Sequence, residues 1–376
     1  MDYGWLQFKS VRKKSLSKQI NFYDRQILVL SLALTVFGVI AIANASAPIA
    51  ERDFADKFYF AKQQAVWALV GCVLIFLTSK VKYKMWEKFA SVIFFGTVAI
   101  LVLVLIPGLG ISALGAQRRL YLGPVSFQPS EFLKLALAIY IAKVASKKKK
   151  ISAFIFPIVL GVVLVMLQPD LGTSIVVVGI GVTQMFIAGV NMFYFMLVVV
   201  LGGAAGVGLI LVSDYRKQRL LTYFQQTRDP LGASYHIRQI LIALGSGGFF
   251  GLGFGNSRQK YLFLPETATD SIFAIIGEEL GFLGCSILIA VFAYFVYRGV
   301  KIASRAPDDF SKILASGIVA WIGGQAFLNM AAMVSIVPLT GIPLPFISYG
   351  GSSITAILIA CGILLNISRH GKETSS

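Results

Sequence analysis

The sequence predicts an all-α polytopic membrane protein of about ten transmembrane helices, with one long extracytoplasmic loop between helices seven and eight. Of its 376 residues, 57% are apolar and 14% are charged, whereas soluble domains are about 45–50% apolar and about 25% charged. Because one helical span needs about 20 apolar residues, the apolar residues suffice for roughly ten spans and little else. A water-soluble globule is therefore excluded.

The charge and the cysteines exclude two further classes. The net charge is +17, but the basic clusters lie between apolar runs, which indicates membrane orientation and no nucleic-acid partner. The three cysteines, Cys72, Cys285 and Cys361, each lie within an apolar stretch. Their odd number and wide spacing predict neither a disulfide framework nor a metal site.

The first apolar run, 27–49, follows a basic tail and is longer than the core of a signal peptide, so we expect an uncleaved first span. The chain then divides into a cytoplasmic basic tail (1–26), a single transmembrane domain (27–369) and a cytoplasmic C-terminal tail (370–376). The remaining nine spans are predicted at 61–79, 85–107, 129–146, 151–168, 171–189, 192–212, 271–299, 313–336 and 350–368.

Lysine and arginine set the orientation, because cytoplasmic loops are enriched in both. With the N-terminus inside, the cytoplasmic segments hold most of the 34 basic residues, and both termini are predicted to be cytoplasmic. The long loop at 213–270 departs from this bias, with seven basic residues, Arg216 and Arg219 among them, and four acidic ones. Two interpretations remain: long loops translocate regardless of charge, or this one attracts an anionic substrate.

Ionisable residues in or at the ends of spans are costly, so each is a functional candidate. Glu131 and Lys134 lie three positions apart on the fourth span, where they can pair, either as a structural pair or as a substrate contact. Arg118 and Arg119 precede this span and are expected near the outer membrane surface. They would contact either lipid headgroups or a pyrophosphate.

Asp270 ends the long loop and directly precedes the eighth span. Its carboxylate is suited to cap that helix, and it is also placed to take a proton from an incoming hydroxyl. Glu278 and Glu279 lie about two turns deeper, so we expect at least one of them to be paired, hydrogen-bonded or protonated, in a structural and not a catalytic role. The uncharged stretch 338–353 has three prolines and must be irregular, so it should be buried in protein or line a cavity.

Five stretches together resemble the SEDS family (shape, elongation, division and sporulation proteins), whose members include RodA, FtsW and SpoVE. The segment GFGNSRQKYLFLPE (253–266) is closer to the FtsW type than to the RodA type. Arg119 departs from the family pattern, which usually has Trp there. The matching stretches are GAQRRLYLGPVSFQPSEFLKLAL (115–137), LQPDLGTS (167–174), RDPLGASYHIRQILIALGSGG (228–248), LPETATDSIFAIIGEELGFLG (264–284) and PLTGIPLPFISYGGSS (338–353).

The resemblance implies a multi-pass protein of the bacterial cytoplasmic (inner) membrane. It implies a peptidoglycan glycosyltransferase that polymerises lipid II on the outer face, in cell division or cell shape. The implied partners are a class B penicillin-binding protein, which is a transpeptidase, and other divisome or elongasome membrane proteins. Asp270 matches the family's essential loop aspartate, and Arg118, Glu131 and Lys134 match further functional positions.

The residues and the resemblance together suggest one mechanism. An α-linked undecaprenyl pyrophosphate donor and a β-1,4 product require inversion at the anomeric carbon, with a base for the acceptor hydroxyl and positive charge for the leaving group. Asp270 is the expected base and Arg118 the first-choice cation, with Lys134, Arg216 and Arg219 as further candidates. A divalent cation (Mg or Mn) is left open. The rival functions are a lipid II flippase and a non-catalytic scaffold for the penicillin-binding protein.

Overall fold

The computed structural model of the chain describes residues 23–106, 110–113, 116–122, 125–147, 150–212, 217, 223, 234–261 and 263–371. Helices dominate the described residues, and ten of them correspond to the ten predicted spans. In chain order these ten are α1 (Arg25–Ala45), α3 (Tyr59–Lys80), α4 (Tyr83–Leu105), α5 (Pro129–Ser146), α6 (Ser152–Leu167), α7 (Leu171–Ile187), α8 (Met192–Val212), α10 (Ile272–Ser304), α11 (Asp309–Met333) and α12 (Gly351–Arg369). Two short helices, α2 (Ala47–Phe54) and α9 (Tyr235–Gly247), lie between them.

The helices confirm the predicted polytopic fold. Among the described residues, six are long and apolar enough to cross a membrane, namely α1, α3, α4, α10, α11 and α12. Helices α6, α7 and the first part of α8 are apolar but shorter. Helix α5 is the polar exception, because Glu131, Lys134 and Lys143 lie within its 18 residues.

Some local features between the first spans were not predicted. The first span ends at Ala45 rather than 49. Ser46 follows it, and the short helix α2 then begins at Ala47 with Pro48 in its first turn, where proline is favoured. Between α4 and α5 the chain forms a three-stranded antiparallel sheet of β1 (Gly110–Ala113), β2 (Ala116–Leu122) and β3 (Val125–Phe127). Arg118 and Arg119 are adjacent in β2, so this strand lacks the alternation of apolar and polar residues by which a strand is predicted.

Helix α5 is the centre of the bundle. It packs against α4, α6, α7, α11 and α12, and most of its side chains are buried, including Leu133, Leu137 and Ile141. A charged residue on this helix is therefore surrounded by protein. This burial is what makes a compensated pair necessary on α5.

Helix α10 is not continuous. Gly281 has φ 66° and ψ −167° within it, a conformation that glycine adopts without steric cost. The segment 248–253, which follows α9, docks at this break, where the N–H groups of Phe282 and Leu283 donate to the carbonyls of Gly248 and Phe249 at 2.9 and 3.1 Å. The predicted single span at 271–299 is thus a short outer helix and a longer inner helix joined at Gly281.

At the end of the bundle that carries the basic loops, Asp308 caps α11. Its carboxylate accepts from the Ser311 N–H at 2.9 Å and from the Tyr83 hydroxyl at 2.8 Å. Burial raises the pKa of Asp308, but the bonds from Ser311 and Tyr83 and the charge of Lys84 outweigh this effect, so its pKa lies below the ordinary 3.8.

Replacing this cap should destabilise the protein in a pH-dependent way. We expect Asp308→Ala to lower the free energy of unfolding by about 1 kcal/mol. Because the folded-state pKa is depressed, the contribution is complete above pH 3.8 and is lost as the pH falls through the folded-state pKa. Thermal unfolding in detergent at several pH values measures the difference. The control is Asp309→Ala, an exposed neighbour; an equal loss there would contradict a specific capping role.

Candidate active site

Asp270 lies directly before α10, one residue ahead of the N-cap position, which Ser271 occupies. Its side chain is half-buried, and its main-chain oxygen accepts from Asn329 Nδ2 at 2.8 Å. The hydroxyl of Ser271 lies 2.9 Å from His236 Nε2 on α9. The predicted aspartate is therefore held at the end of the bundle opposite the Asp308 cap, between α9, α10 and α11.

The segment 338–350, which we call the outer loop, crosses this end of the bundle. It is irregular and largely buried, as predicted, with Leu344 and Ile347 at the core. Two amides of α11 hold it, because Gln325 Nε2 donates to the Pro343 carbonyl at 2.9 Å and Asn329 Nδ2 donates to the Ile342 carbonyl at 2.8 Å. The same Asn329 amide thus holds both the outer loop and the backbone of Asp270.

The outer loop also contacts the Asp270 segment directly. Ser348 Oγ donates to the Thr269 carbonyl at 2.5 Å, and the Tyr349 N–H donates to the Ala268 carbonyl at 2.8 Å. Gly341, with φ 70°, faces the aspartate: a Cβ placed there would lie 3.2 Å from Asp270 Oδ2. The loop therefore forms one wall of the space around this carboxylate.

Glu131 and Lys134 form the predicted pair, at 2.7 Å between Lys134 Nζ and Glu131 Oε1. Both side chains are almost fully buried, at 3% and 1% exposed. Lys134 Nζ also donates to Gln325 Oε1 at 2.7 Å, and that oxygen accepts from Trp321 Nε1 at 2.9 Å. The ion pair therefore supports the amide that holds the outer loop.

Arg118 lies on β2, beside the turn that precedes α7. Its Nε donates to the carbonyl of Gln168 at 2.9 Å, and an Nη donates to the carbonyl of Pro169. These two bonds orient a guanidinium that has five N–H donors. The same turn contacts the outer loop, because a Cβ on Gly172 would lie 2.7 Å from the Thr340 carbonyl oxygen. The outer loop therefore contacts both the Asp270 segment and the turn that holds Arg118.

Three other arginines were candidates for contact with headgroups or an anionic substrate. Arg119 is exposed, and Arg216 and Arg219 lie outside the described residues. The prediction missed Gln325 and Asn329, although two amides four residues apart on an apolar helix are a signal for a polar contact inside the membrane.

Several buried polar atoms around the outer loop have no hydrogen-bond partner within the part of the chain that the structure describes. They are Glu131 Oε2, both amide atoms of Gln168, Asn329 Oδ1 and Thr340 Oγ1. Buried polar atoms are usually paired, and exceptions concentrate at functional sites. The region between Arg118, α5 and Asp270 is therefore a polar region inside an apolar bundle.

Glu278 and Glu279 have the structural role expected of them. Glu278 accepts from the N–H groups of Arg258 and Gln259, at 3.0 and 3.2 Å, and from the Ser257 hydroxyl. Glu279 pairs with Lys260 Nζ at 3.1 Å and accepts from the amide of Asn44. Both carboxylates are thus used to fold the end of the long loop onto α10.

Metal ligands were not predicted, and the divalent cation was left open. Within the described ranges, no group of three or more His, Cys, Asp or Glu side chains is arranged to hold a metal ion.

Comparison with known proteins gives matches along nearly the whole chain. The family model of FtsW, RodA and SpoVE, described as cell cycle protein, matches residues 24–373. Stage V sporulation protein E of Bacillus subtilis (strain 168) is 41% identical over 357 residues, covering 93% of this chain and 98% of that protein. The probable peptidoglycan glycosyltransferase FtsW of Geobacter metallireducens is 40% identical over 365 residues, covering 95% and 97%.

Solved structures give the same fold. One match is a chain from a solved peptidoglycan synthase complex, described for its structural coordination of polymerization and crosslinking. The TM-score is 0.76 at 26% identity. The match covers 93% of this chain and 98% of that one. The rod shape determining protein RodA of Thermus thermophilus matches with a TM-score of 0.69 at 24% identity, covering 93% and 98%.

The buried ion pair should be much more important for stability than an exposed one. Lys134→Met leaves the Glu131 carboxylate without its cation, and because an uncompensated buried charge costs about 3–5 kcal/mol, we expect a loss of that size in the free energy of unfolding. The control is Lys62→Met, which breaks the exposed pair with Asp56 and should leave the free energy of unfolding almost unchanged, because exposed ion pairs contribute little. Denaturant unfolding in detergent measures both. Similar losses in the two variants would contradict the structural role of the α5 pair.

Proposed function

The chain belongs to the FtsW, RodA and SpoVE family of cell-cycle proteins, and from this premise we propose that it is a peptidoglycan glycosyltransferase that polymerises lipid II. The observation that carries the proposal is the position of Asp270. Its carboxylate lies at one end of the bundle beside the outer loop, and that loop also contacts the turn that holds Arg118.

The depth of Asp270 supports this assignment. Helix α1 rises about 30 Å from Asp24 to Asn44 at 1.5 Å per residue, which equals the hydrocarbon thickness of a bilayer. Both ends are tied to α10, through Arg298 Nη to Asp24 Oδ2 at 2.5 Å and through Asn44 to Glu279. Thr267, three residues before Asp270, donates to the carbonyl of Ala45 at the outer end of α1, so Asp270 lies near that end. That is the level of the headgroups and of a sugar linked to a lipid pyrophosphate.

We propose that Asp270 is the general base of a single displacement. Its carboxylate takes the proton of the acceptor's 4-hydroxyl as that oxygen forms a bond to the donor's anomeric carbon. The bond from this carbon to the pyrophosphate oxygen breaks from the opposite side, so the configuration inverts. Undecaprenyl pyrophosphate leaves with the electron pair of that bond.

We assign the departing pyrophosphate to Arg118, because a guanidinium recognises phosphate oxygens through paired N–H groups. Its bonds to Gln168 and Pro169 hold it in place before the substrate arrives. Lys134, a candidate by sequence, is buried against Glu131 and Gln325, so we assign this pair to positioning the outer loop. Arg216 and Arg219 remain candidates for the anionic substrate.

The proposed setting follows from the charges and the relatives. With the basic loops inside, both termini lie in the cytoplasm of a bacterium and Asp270 faces the outer side of its cytoplasmic membrane. A similar chain belongs to a peptidoglycan synthase complex that combines polymerization and crosslinking. We therefore propose a class B penicillin-binding protein as the crosslinking partner, alongside other divisome or elongasome membrane proteins.

Removing the base should nearly abolish polymerisation. General-base help amounts to about 10²–10⁴-fold, so we expect Asp270→Asn to lower the rate by that factor while the protein stays folded. The measurement is the formation of glycan strands from lipid II by purified protein in detergent or nanodiscs, with and without the partner. The control is Glu266→Gln, which removes an exposed loop carboxylate four residues away and should keep most of the activity.

The same assay decides between the rival functions. Movement of labelled lipid II across vesicles that survives in Asp270→Asn, without polymer from the wild type, would establish a flippase. Polymer that forms at the same rate when the wild type is replaced by Asp270→Asn, in the partner's presence, would establish a scaffold. Either result would overturn the proposal.

The outer loop should influence the base directly. Gly341→Ala places a methyl group about 3.2 Å from Asp270 Oδ2 and is expected to lower kcat by about tenfold, because a displaced base loses alignment with the hydroxyl. The matched control is Gly189→Ala, where φ is 72° but no atom lies within 4 Å. Both variants carry the same backbone strain. Equal activities of the two variants would contradict a role of the loop in positioning Asp270.

A further inference from the structure

The segment 248–254, which we call the hairpin, directly follows α9 and docks at the break in α10. Its aromatic side chains face away from the protein. Phe249, Phe250 and Phe254 are 57%, 76% and 57% exposed. The rings of Phe249 and Phe250 meet edge to face with centroids 4.9 Å apart. Exposed aromatic clusters of this kind indicate an interaction surface.

The backbone of this hairpin is hydrogen-bonded on its inner side. The N–H groups of Gly251, Leu252 and Gly253 donate to the carbonyls of Gly247, Glu278 and Glu279, at 2.8, 3.0 and 3.0 Å. Gly251 is required for this close approach, because a Cβ there would collide with the Glu279 carbonyl. Irregular backbone at membrane depth needs partners within the protein, and these N–H groups have them.

The depth of the hairpin can be read from two helices. From Arg298 to Gly281, α10 rises about 26 Å, and Arg298 is paired with Asp24 at the inner end of α1. Asn44, about 30 Å along α1 from Asp24, contacts Glu279 and Lys260 beside the hairpin. Because the hydrocarbon layer is about 30 Å thick, the hairpin lies at its outer boundary.

The hairpin also continues a lipid-facing surface. The rings of Phe249 and Phe282 lie 5.8 Å apart, and Phe282 and Ile287 are 64% and 58% exposed on α10. No charged residue occurs between Arg238 and Arg258, although the long loop is otherwise rich in charge. The same face therefore runs without a charged side chain from the membrane-spanning part of α10 onto the hairpin.

We propose that the hairpin 248–254 is inserted in the outer leaflet, with Phe249, Phe250 and Phe254 among the lipid chains just below the headgroups. The end of the long loop is then a membrane anchor and not a solvent-exposed segment. Its N–H groups are bonded to the carbonyls of Glu278 and Glu279 on α10, close to Asn44 at the outer end of α1. Where the proposed function holds, this anchor keeps Asp270 at the height of the lipid-linked sugar.

The test is spin-label accessibility in nanodiscs. In a background with Cys72→Ala and Cys285→Ala, a nitroxide is attached at Phe250→Cys, and its collision rates with oxygen, which concentrates in lipid, and with a water-soluble nickel chelate are compared. Ile287→Cys is the lipid-facing control, and Glu266→Cys is the water-facing control in the same loop. We expect the oxygen-to-nickel ratio at 250 to approach that at 287 and to exceed that at 266.

A ratio at 250 equal to that at 266 would place the hairpin in water and overturn the proposal. A second label at Phe254→Cys gives the same measurement if Phe250→Cys does not fold. Adding the class B penicillin-binding protein tests the other occupant: a fall in both collision rates would mean that this face binds the partner instead of lipid. The measurement needs no turnover, so repeating it with Asp270→Asn separates failure of the anchor from failure of the proposed function.

Discussion

Non-helical backbone at membrane depth must find its hydrogen-bond partners inside the protein, and this constraint shapes the functional end of the bundle. Lipid offers no donors or acceptors, and each unmet group costs several kcal/mol. The outer loop meets the constraint with the amides of Gln325 and Asn329, and the hairpin meets it with backbone carbonyls beside the break at Gly281. The costly polar residues of the spans are thus the means by which irregular segments can exist there.

Much of the fold could be predicted, because long apolar runs and the distribution of lysine and arginine are local signals. The Glu131–Lys134 pair followed from helical spacing alone. The break at Gly281 could not be predicted, because a glycine within an apolar run is tolerated in ordinary helices and only the docked hairpin makes its conformation necessary. The sheet around Arg118 was missed because short strands between spans carry a weak pattern.

The site was predictable where the sequence concentrates charge, and unpredictable where neutral amides act across helices. Asp270 and Arg118 were found as charged residues near a membrane surface, but their common neighbour, the outer loop, is identified only by tertiary contacts. Gln325 and Asn329 show the difference, because an amide in a span predicts some polar contact without naming its partner. Their partners, Pro343, Ile342 and Asp270, lie up to 59 positions away in the chain.

The arrangement explains how one carboxylate can be fixed in two independent ways. Asn329 fixes the backbone of Asp270 laterally, against α11 and the outer loop. The outer part of α10 fixes it vertically, since Glu278 and Glu279 hold the hairpin and Asn44 at the other end of that short helix. In the reaction proposed above, a base that serves a lipid-linked sugar must match both the position and the height of a substrate whose lipid chains confine it to the bilayer. The bonds of Thr267 and Glu279 to the outer end of α1 set the height, and the buried amide of Asn329 sets the lateral position.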